Sequence, residues 1–148
     1  MMIERLSLWR DKNNGRLPEA ILVYRDGVSE GQFKTVLEME LPKLREACVV
    51  MRADYRPKVT IIIVGKRHHT RFYPTNSERA DRLGNPAPGT VVDRGVTAVY
   101  DYDFYLQAHA GLQGTTRPAH YYVIHDKNGF DADSLQTLVP LPLPTYIL

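Results

Sequence analysis

The stretch Ile21-Leu22-Val23-Tyr24-Arg25-Asp26-Gly27-Val28-Ser29-Glu30-Gly31-Gln32-Phe33 decides how this chain folds. An apolar run meets a carboxylate and then a glycine. Apolar runs of four or more residues stopped by a turn signal read as buried strands, and Asp26-Gly27 supplies the turn. A strand is therefore predicted over 20–25. Asp26, at its end, has two roles open to it. It can shape the turn, or it can help to hold a divalent cation such as magnesium. Hard cations take oxygen ligands, usually from more than one carboxylate together with substrate phosphates, so Asp26 alone would make a weak site.

Beyond the turn, Ser29 is placed to cap a helix. Phe33, Val36, Leu37, Leu41, Leu44, Cys48 and Met51 then hold the helical period for about five turns. Pro42 removes one backbone donor inside that run and predicts a bend. After the Tyr55-Arg56-Pro57 loop, Val59, Ile61, Ile62, Ile63 and Val64 read as a second buried strand over 58–64. Strand, helix and strand form a βαβ unit, expected to cross over with the right hand. Upstream, Ile3, Leu6, Leu8 and Trp9 suggest an amphipathic helix over 2–12 that Asn13-Asn14-Gly15 ends.

The second strand runs into Lys66-Arg67-His68-His69-Thr70-Arg71, whose donors suit a phosphate backbone. As an extended segment it would alternate, with Lys66, His68 and Thr70 on one face and Arg67, His69 and Arg71 on the other. A charged, solvated edge strand is the competing reading. Zinc is disfavoured, because adjacent strand residues point apart and no cysteine lies nearby. Residues 74–89, rich in Pro, Gly, Asn and Asp, read as a long exposed loop and the most mobile part of the chain. Short extended pieces are expected over 90–92 and 97–100.

A strand over 102–108 then meets the turn His109-Ala110-Gly111-Leu112-Gln113-Gly114-Thr115-Thr116-Arg117-Pro118. Small residues there let backbone approach a ligand, and Arg117 can fork onto phosphate oxygens. The glycines follow neither mononucleotide-binding spacing. His120 opens the next strand, over 120–125, where a histidine is more often packed or partner-bonded than a general base. Asp126-Lys127-Asn128-Gly129 ends it. A short helix over 131–138, capped by Asp131 or Asp133, precedes a tail in which Pro140, Pro142 and Pro144 forbid regular structure.

Composition bounds the rest. A chain of 148 residues with 43% hydrophobic residues can bury the core of one domain, which argues against disorder. With 19 Lys and Arg against 17 Asp and Glu, attraction to phosphate must come from local clustering. Cys48 is the single cysteine; it sits among Leu44, Ala47 and Met51 as a small core residue and can form no intrachain disulfide. The N-terminus has no signal-peptide core and no run of about eighteen apolar residues occurs, so the expectation is a soluble, intracellular protein, cytoplasmic or else nuclear, that does not engage a membrane.

Four segments carry a family resemblance: the run 24–33, the basic run 66–71, Pro88-Gly89-Thr90-Val91-Val92-Asp93, and Asp103-Phe104-Tyr105-Leu106 through Arg117-Pro118-Ala119-His120-Tyr121. In order and spacing they resemble the C-terminal half of the Piwi domain of Argonaute proteins. The resemblance implies a partial RNase H-like α/β fold over 1–138, with a mixed sheet and flanking helices, followed by a divergent Pro-rich tail over 139–148. It implies a role in small-RNA-guided silencing with guide RNA and target RNA as partners, and with silencing-complex proteins that dock through tryptophan-accepting pockets.

By the same resemblance Asp26 matches a carboxylate that binds Mg2+ or Mn2+ in cleaving members. Lys66, Arg67, His69 and Arg71, with His109, Gln113, Thr115 and Arg117, match positions near the guide backbone. The other three metal ligands of the family have no counterpart in this chain, and His120 belongs to a different segment. The expectation is therefore a nucleic-acid-binding Piwi fragment that does not cut alone, with a slicer endonuclease completed by missing parts, or a protein-interaction module, as the alternatives.

Overall fold

The computed structural model describes residues 1–139. The Pro-rich stretch with Pro140, Pro142 and Pro144 lies outside the described residues. Helix α1 (Met2–Lys12) leads to β1 (Ala20–Asp26). Asn13 Nδ2 donates to the Trp9 carbonyl at 2.8 Å, and Asn14 and Gly15 take positive φ, which closes α1 where the sequence predicts it. Strand β2 (Lys58–Gly65) pairs with β1 in parallel, as a βαβ unit requires.

Between them runs one helical stretch, 30–51, labelled α2. It opens with a 3-10 turn, Glu30–Gln32, in which the Gln32 side chain accepts the Ser29 backbone N–H at 3.2 Å. An α-turn, Phe33–Thr35, is followed by a π turn, Val36–Glu40, and regular α-helix resumes over Leu41–Met51. Leu41 N–H bonds to the Val36 carbonyl, five residues back. The bend expected at Pro42 is thus realised as a widened turn. Pro42 has no N–H to return to Glu38 and its ring would crowd that carbonyl, and the wide turn ends where that conflict begins.

The sheet is completed by β3 (Val91–Val92), β4 (Asp103–Leu106) and β5 (Ala119–Asp126), in the order β1-β2-β5-β4-β3. β5 is antiparallel to both β2 and β4, so the sheet is mixed. Alternation along β2 sends Ile61 and Ile63 toward α2, where they meet Val23, Val36 and Leu41. Ile62 faces the other way, into a cluster with Phe104, Leu106 and Leu135. Leu135 belongs to α3 (Ala132–Leu138), whose cap is Asp131, accepting the Ser134 N–H at 2.7 Å. A third cluster, Leu6, Cys48 and Tyr55, seats α1 against α2 and confirms Cys48 as a core residue.

Three expectations change. Residues 66–71 form no strand, so the predicted two-faced alternation does not occur. Their would-be partner on β5 starts at Ala119, because Pro118 has no N–H to extend the ladder, and pairing stops at Gly65–His120. Residues 97–100 are likewise not extended. The stretch 74–89 is not uniformly exposed: it contains a 3-10 turn, Ser77–Arg79, an Ala80–Pro86 bridge, and a buried Asn85.

Candidate functional site

β1 and β2 end side by side, and the chain leaving each of them turns away. The gap between the two exits is a cleft of about 630 Å³ lined by Asp26, Glu30, Lys66, Arg67, His68, His120 and Tyr122 among others. The tertiary fold thus brings Asp26 and the start of the basic segment together across forty residues of sequence. Asp26 is exposed at the rim, and its Oδ1 accepts the Gly27 N–H at 2.6 Å, so it does shape its turn. Arg25 braces the same corner. Its Nη1 donates to the Asp26 carbonyl at 2.5 Å, and its Nε lies 3.0 Å from Glu40 Oε2.

The inner wall is aromatic and titratable. His120 Nε2 lies 2.5 Å from Asp103 Oδ2, with both residues buried. The Tyr105 ring stacks on His120 at 3.8 Å and the Tyr122 ring lies at 4.0 Å. Tyr122 in turn donates to Glu30 Oε1 at 2.5 Å; burial first, and then this carboxylate, push its phenol well above the ordinary value. His120 is therefore partner-bonded, as its strand position suggested. His68 Nε2 donates to the Pro118 carbonyl at 3.0 Å, and burial holds its pKa below the ordinary 6.5.

The cleft offers two carboxylates, and Glu30 is already engaged by Tyr122. Among the described residues no group of three or more His, Cys, Asp or Glu side chains could hold a metal ion. The side chains present do not make a hard-cation site on their own, because such ions take several oxygen ligands.

The basic and polar residues singled out in the sequence fall into two groups. Lys66 and Arg67 line the cleft and are exposed. Arg117 Nη1 donates to the Lys66 carbonyl at 3.1 Å, which joins the end of the glycine-rich turn to the start of the basic segment. His109, Gln113 and Thr115 are exposed along that turn. His69 is exposed outside the cleft lining, while Arg71 is half-buried and its Nη1 folds back onto the Thr70 carbonyl at 2.7 Å. The result is a rim of three cationic residues, Lys66, Arg67 and Arg117, at the exit of β2.

Sequence reasoning did not find what holds the turn. Asp81 Oδ2 accepts the Gly111 N–H at 2.9 Å, and Asn85 Nδ2 donates to the Gly114 carbonyl at 3.0 Å. Asn85 Oδ1 accepts the Thr116 N–H at 2.9 Å. Asp81 also receives the Leu83 and Asn85 N–H groups, and these bonds, the Gly111 one foremost, bring its carboxyl down to about 2. The turn chemistry of Asp81, Gly84, Asn85 and Pro86 was the available signal; its partner thirty residues away was not.

A family model described as Piwi domain matches residues 1–148. The chain is 51% identical over 148 residues to Protein argonaute 1A of Oryza sativa subsp. japonica, covering 98% of this chain and 14% of that relative. It is 53% identical over 135 residues to Protein argonaute 5 of Arabidopsis thaliana, covering 89% of this chain and 14% of the relative. Among solved structures it is similar to Kluyveromyces polysporus Argonaute with a guide RNA, at a TM-score of 0.85 and 38% identity over 93% of this chain and 18% of that one. The C-terminal lobe of a budding yeast Argonaute gives a TM-score of 0.84 and 37% identity, over 91% and 29%. This chain thus spans 14% of the length of these curated relatives. No helix among the described residues is long and apolar enough to cross a membrane.

Proposed function

From the premise that this chain belongs to the Piwi domain family and has its RNase H-like fold, we propose that it binds the sugar-phosphate backbone of guide or target RNA in small-RNA-guided silencing. The observation that carries the reading is the Arg117–Lys66 bond, which sets Arg117 and the basic segment into one rim. The whole chain is close to neutral, so attraction to a phosphate backbone rests on this local clustering. The similarity to an Argonaute described with a guide RNA supports the same choice of partner.

On this reading the chain grips and does not cut. Cleavage by a two-metal mechanism needs ions clamped on both sides of the scissile phosphate, and Asp26 supplies one ligand. In a complete domain Asp26 would be one of the carboxylates holding Mg2+ or Mn2+, and the ions would supply activated water and charge neutralisation there. Silencing-complex proteins are further partners on this proposal.

The test is binding of single-stranded and duplex RNA to the chain as a function of salt. Affinity that falls with salt, and a slope reduced by removal of Lys66, Arg67 or Arg117, is the expected result. No affinity at low salt, or affinity indifferent to salt, overturns the reading.

A further inference from the structure

The glycine-rich turn that carries Arg117 has no ladder of its own between β4 and β5. Three of its backbone polar groups are instead taken up by two side chains of the 74–89 stretch. Asp81 holds Gly111, and Asn85 holds both Gly114 and Thr116, at 2.9 to 3.0 Å. Asn85 is 3% exposed, and its amide is used at both ends, donating through Nδ2 and accepting through Oδ1. Asp81 in turn receives the Asn85 backbone N–H at 2.9 Å, and Asn85 Nδ2 lies 3.2 Å from Asp81 Oδ2, so the two form one unit.

The fit around Gly111 is close. A Cβ there would fall 2.8 Å from Asn85 Nδ2 and 2.9 Å from Thr116 Cγ2. The turn therefore sits on the clamp without room for a methyl group, and glycine is needed for approach rather than for an unusual φ. Neither Asp81 nor Asn85 lies in the basic rim, and Asp81 carries the wrong charge to touch phosphate.

We propose that Asp81 and Asn85 are positioning residues for RNA binding: they set the Gly111–Arg117 turn so that Arg117 reaches Lys66 and the rim is complete before RNA arrives. The inference rests on the RNA-binding reading above. Pre-organisation of this kind raises affinity by sparing the ordering cost at the moment of binding.

The experiment compares the wild-type chain with Asn85→Ala, Arg117→Ala and the double variant, using a single-stranded RNA oligonucleotide at fixed low salt. Hydrogen exchange is read in parallel at Gly111 and Thr116. Asn85→Ala should speed exchange at both amides, leave β2 and β5 protected, and weaken RNA binding roughly tenfold, the scale of two lost hydrogen bonds. On the Arg117→Ala background the same substitution should cost much less, because a positioning residue acts through what it positions. A second loss as large as the first overturns the proposal, as does unchanged exchange or unchanged affinity in Asn85→Ala.

If Asn85→Ala loses protection throughout β2 and β5, Gly111→Ala carries the test, since it disturbs the clamp from the turn's side, with the same outcomes expected. Absence of RNA binding by the wild-type chain overturns the functional reading and this role together. Wild-type binding that the clamp variants leave unchanged overturns only the role.

Discussion

His120 Nε2 lies 2.5 Å from Asp103 Oδ2 on adjacent antiparallel strands, with the two side chains 8% and 1% exposed. His120 lines the cleft, and Asp103 ties it to the loop ahead of β4, because Asp103 Oδ1 accepts the Ala98 N–H at 2.8 Å. Asp103→Ala would strand a buried imidazole and a backbone donor together. The expected loss is about 3 kcal/mol of unfolding free energy, within the range for breaking a buried pair. Urea unfolding measures it, and a loss under about 1 kcal/mol would show that water or a new partner takes over.

Salt sensitivity separates contact from positioning. Lys66→Ala and Arg67→Ala should each lower the slope of log affinity against log salt by about 1, the signature of one phosphate contact removed. Titrations across a salt series read the slopes directly, and unchanged slopes would move the RNA path off this rim.

Asp26 is expected to be silent toward metal in this chain alone. Calorimetric titration with Mg2+ or Mn2+ should give the same heats for the wild-type chain and Asp26→Ala, because one exposed carboxylate is too few ligands for a hard cation. A binding curve that disappears with Asp26→Ala would contradict this.

The clamp should loosen in acid. Folded Asp81 keeps its charge down to about 2, whereas the ordinary carboxyl takes up its proton near 3.8. A depressed folded value means stability that is complete above the unfolded value and is lost as pH falls toward the folded one. The stability gap between the wild-type chain and Asp81→Asn should therefore narrow from pH 4 to pH 2, as followed by thermal unfolding. A gap constant with pH would mean that the charge of Asp81 is immaterial.

Two histidines should sensitise the fold at milder pH. Burial lowers His68 and His125 below the ordinary 6.5, so the unfolded chain binds protons more readily in the window just under that value. Stability should then fall as pH drops below 6.5, the sign required when the unfolded state takes up the protons. His125 Nε2 is buried without a partner, which makes His125→Phe the cleaner probe. Between pH 7 and 5.5 the wild-type unfolding midpoint should fall relative to that of His125→Phe, and a difference constant with pH would show that His125 is not responsible.

Local periodicity made much of the fold legible. The apolar run before Asp26 and the isoleucines of β2 have the strand pattern, and the spacing from Phe33 to Met51 has the helical one, because each side chain's face follows from backbone period alone. Turn chemistry located the C-terminal end of α1 and narrowed the cap of α3 to Asp131 or Asp133, of which the structure uses Asp131. The Pro42 bend was readable as a conflict, but its resolution as a π turn was not, since that depends on how α2 seats Val36 and Leu41 against the sheet. The basic run 66–71 misled where its pattern implied a strand, because strand pairing depends on the partner and the partner begins after a proline.

The residue inventory and the family are legible in the sequence: one carboxylate at a strand end, one basic segment, a glycine-rich turn that ends at Arg117, and the order and spacing shared with the Piwi domain. Only the tertiary structure decided how they meet. Arg117 reaches the Lys66 carbonyl across fifty-one positions, and Asn85 reaches Thr116 across thirty-one. Such contacts carry no local periodicity, since hydrogen bonding between loops depends on where the sheet places their ends. The sheet also sharpened the reading of Asp26. By sequence it was a turn residue or a cation ligand; in the fold it shapes its turn and stands at the rim of a basic cleft, outside any group of three or more potential metal ligands among the described residues.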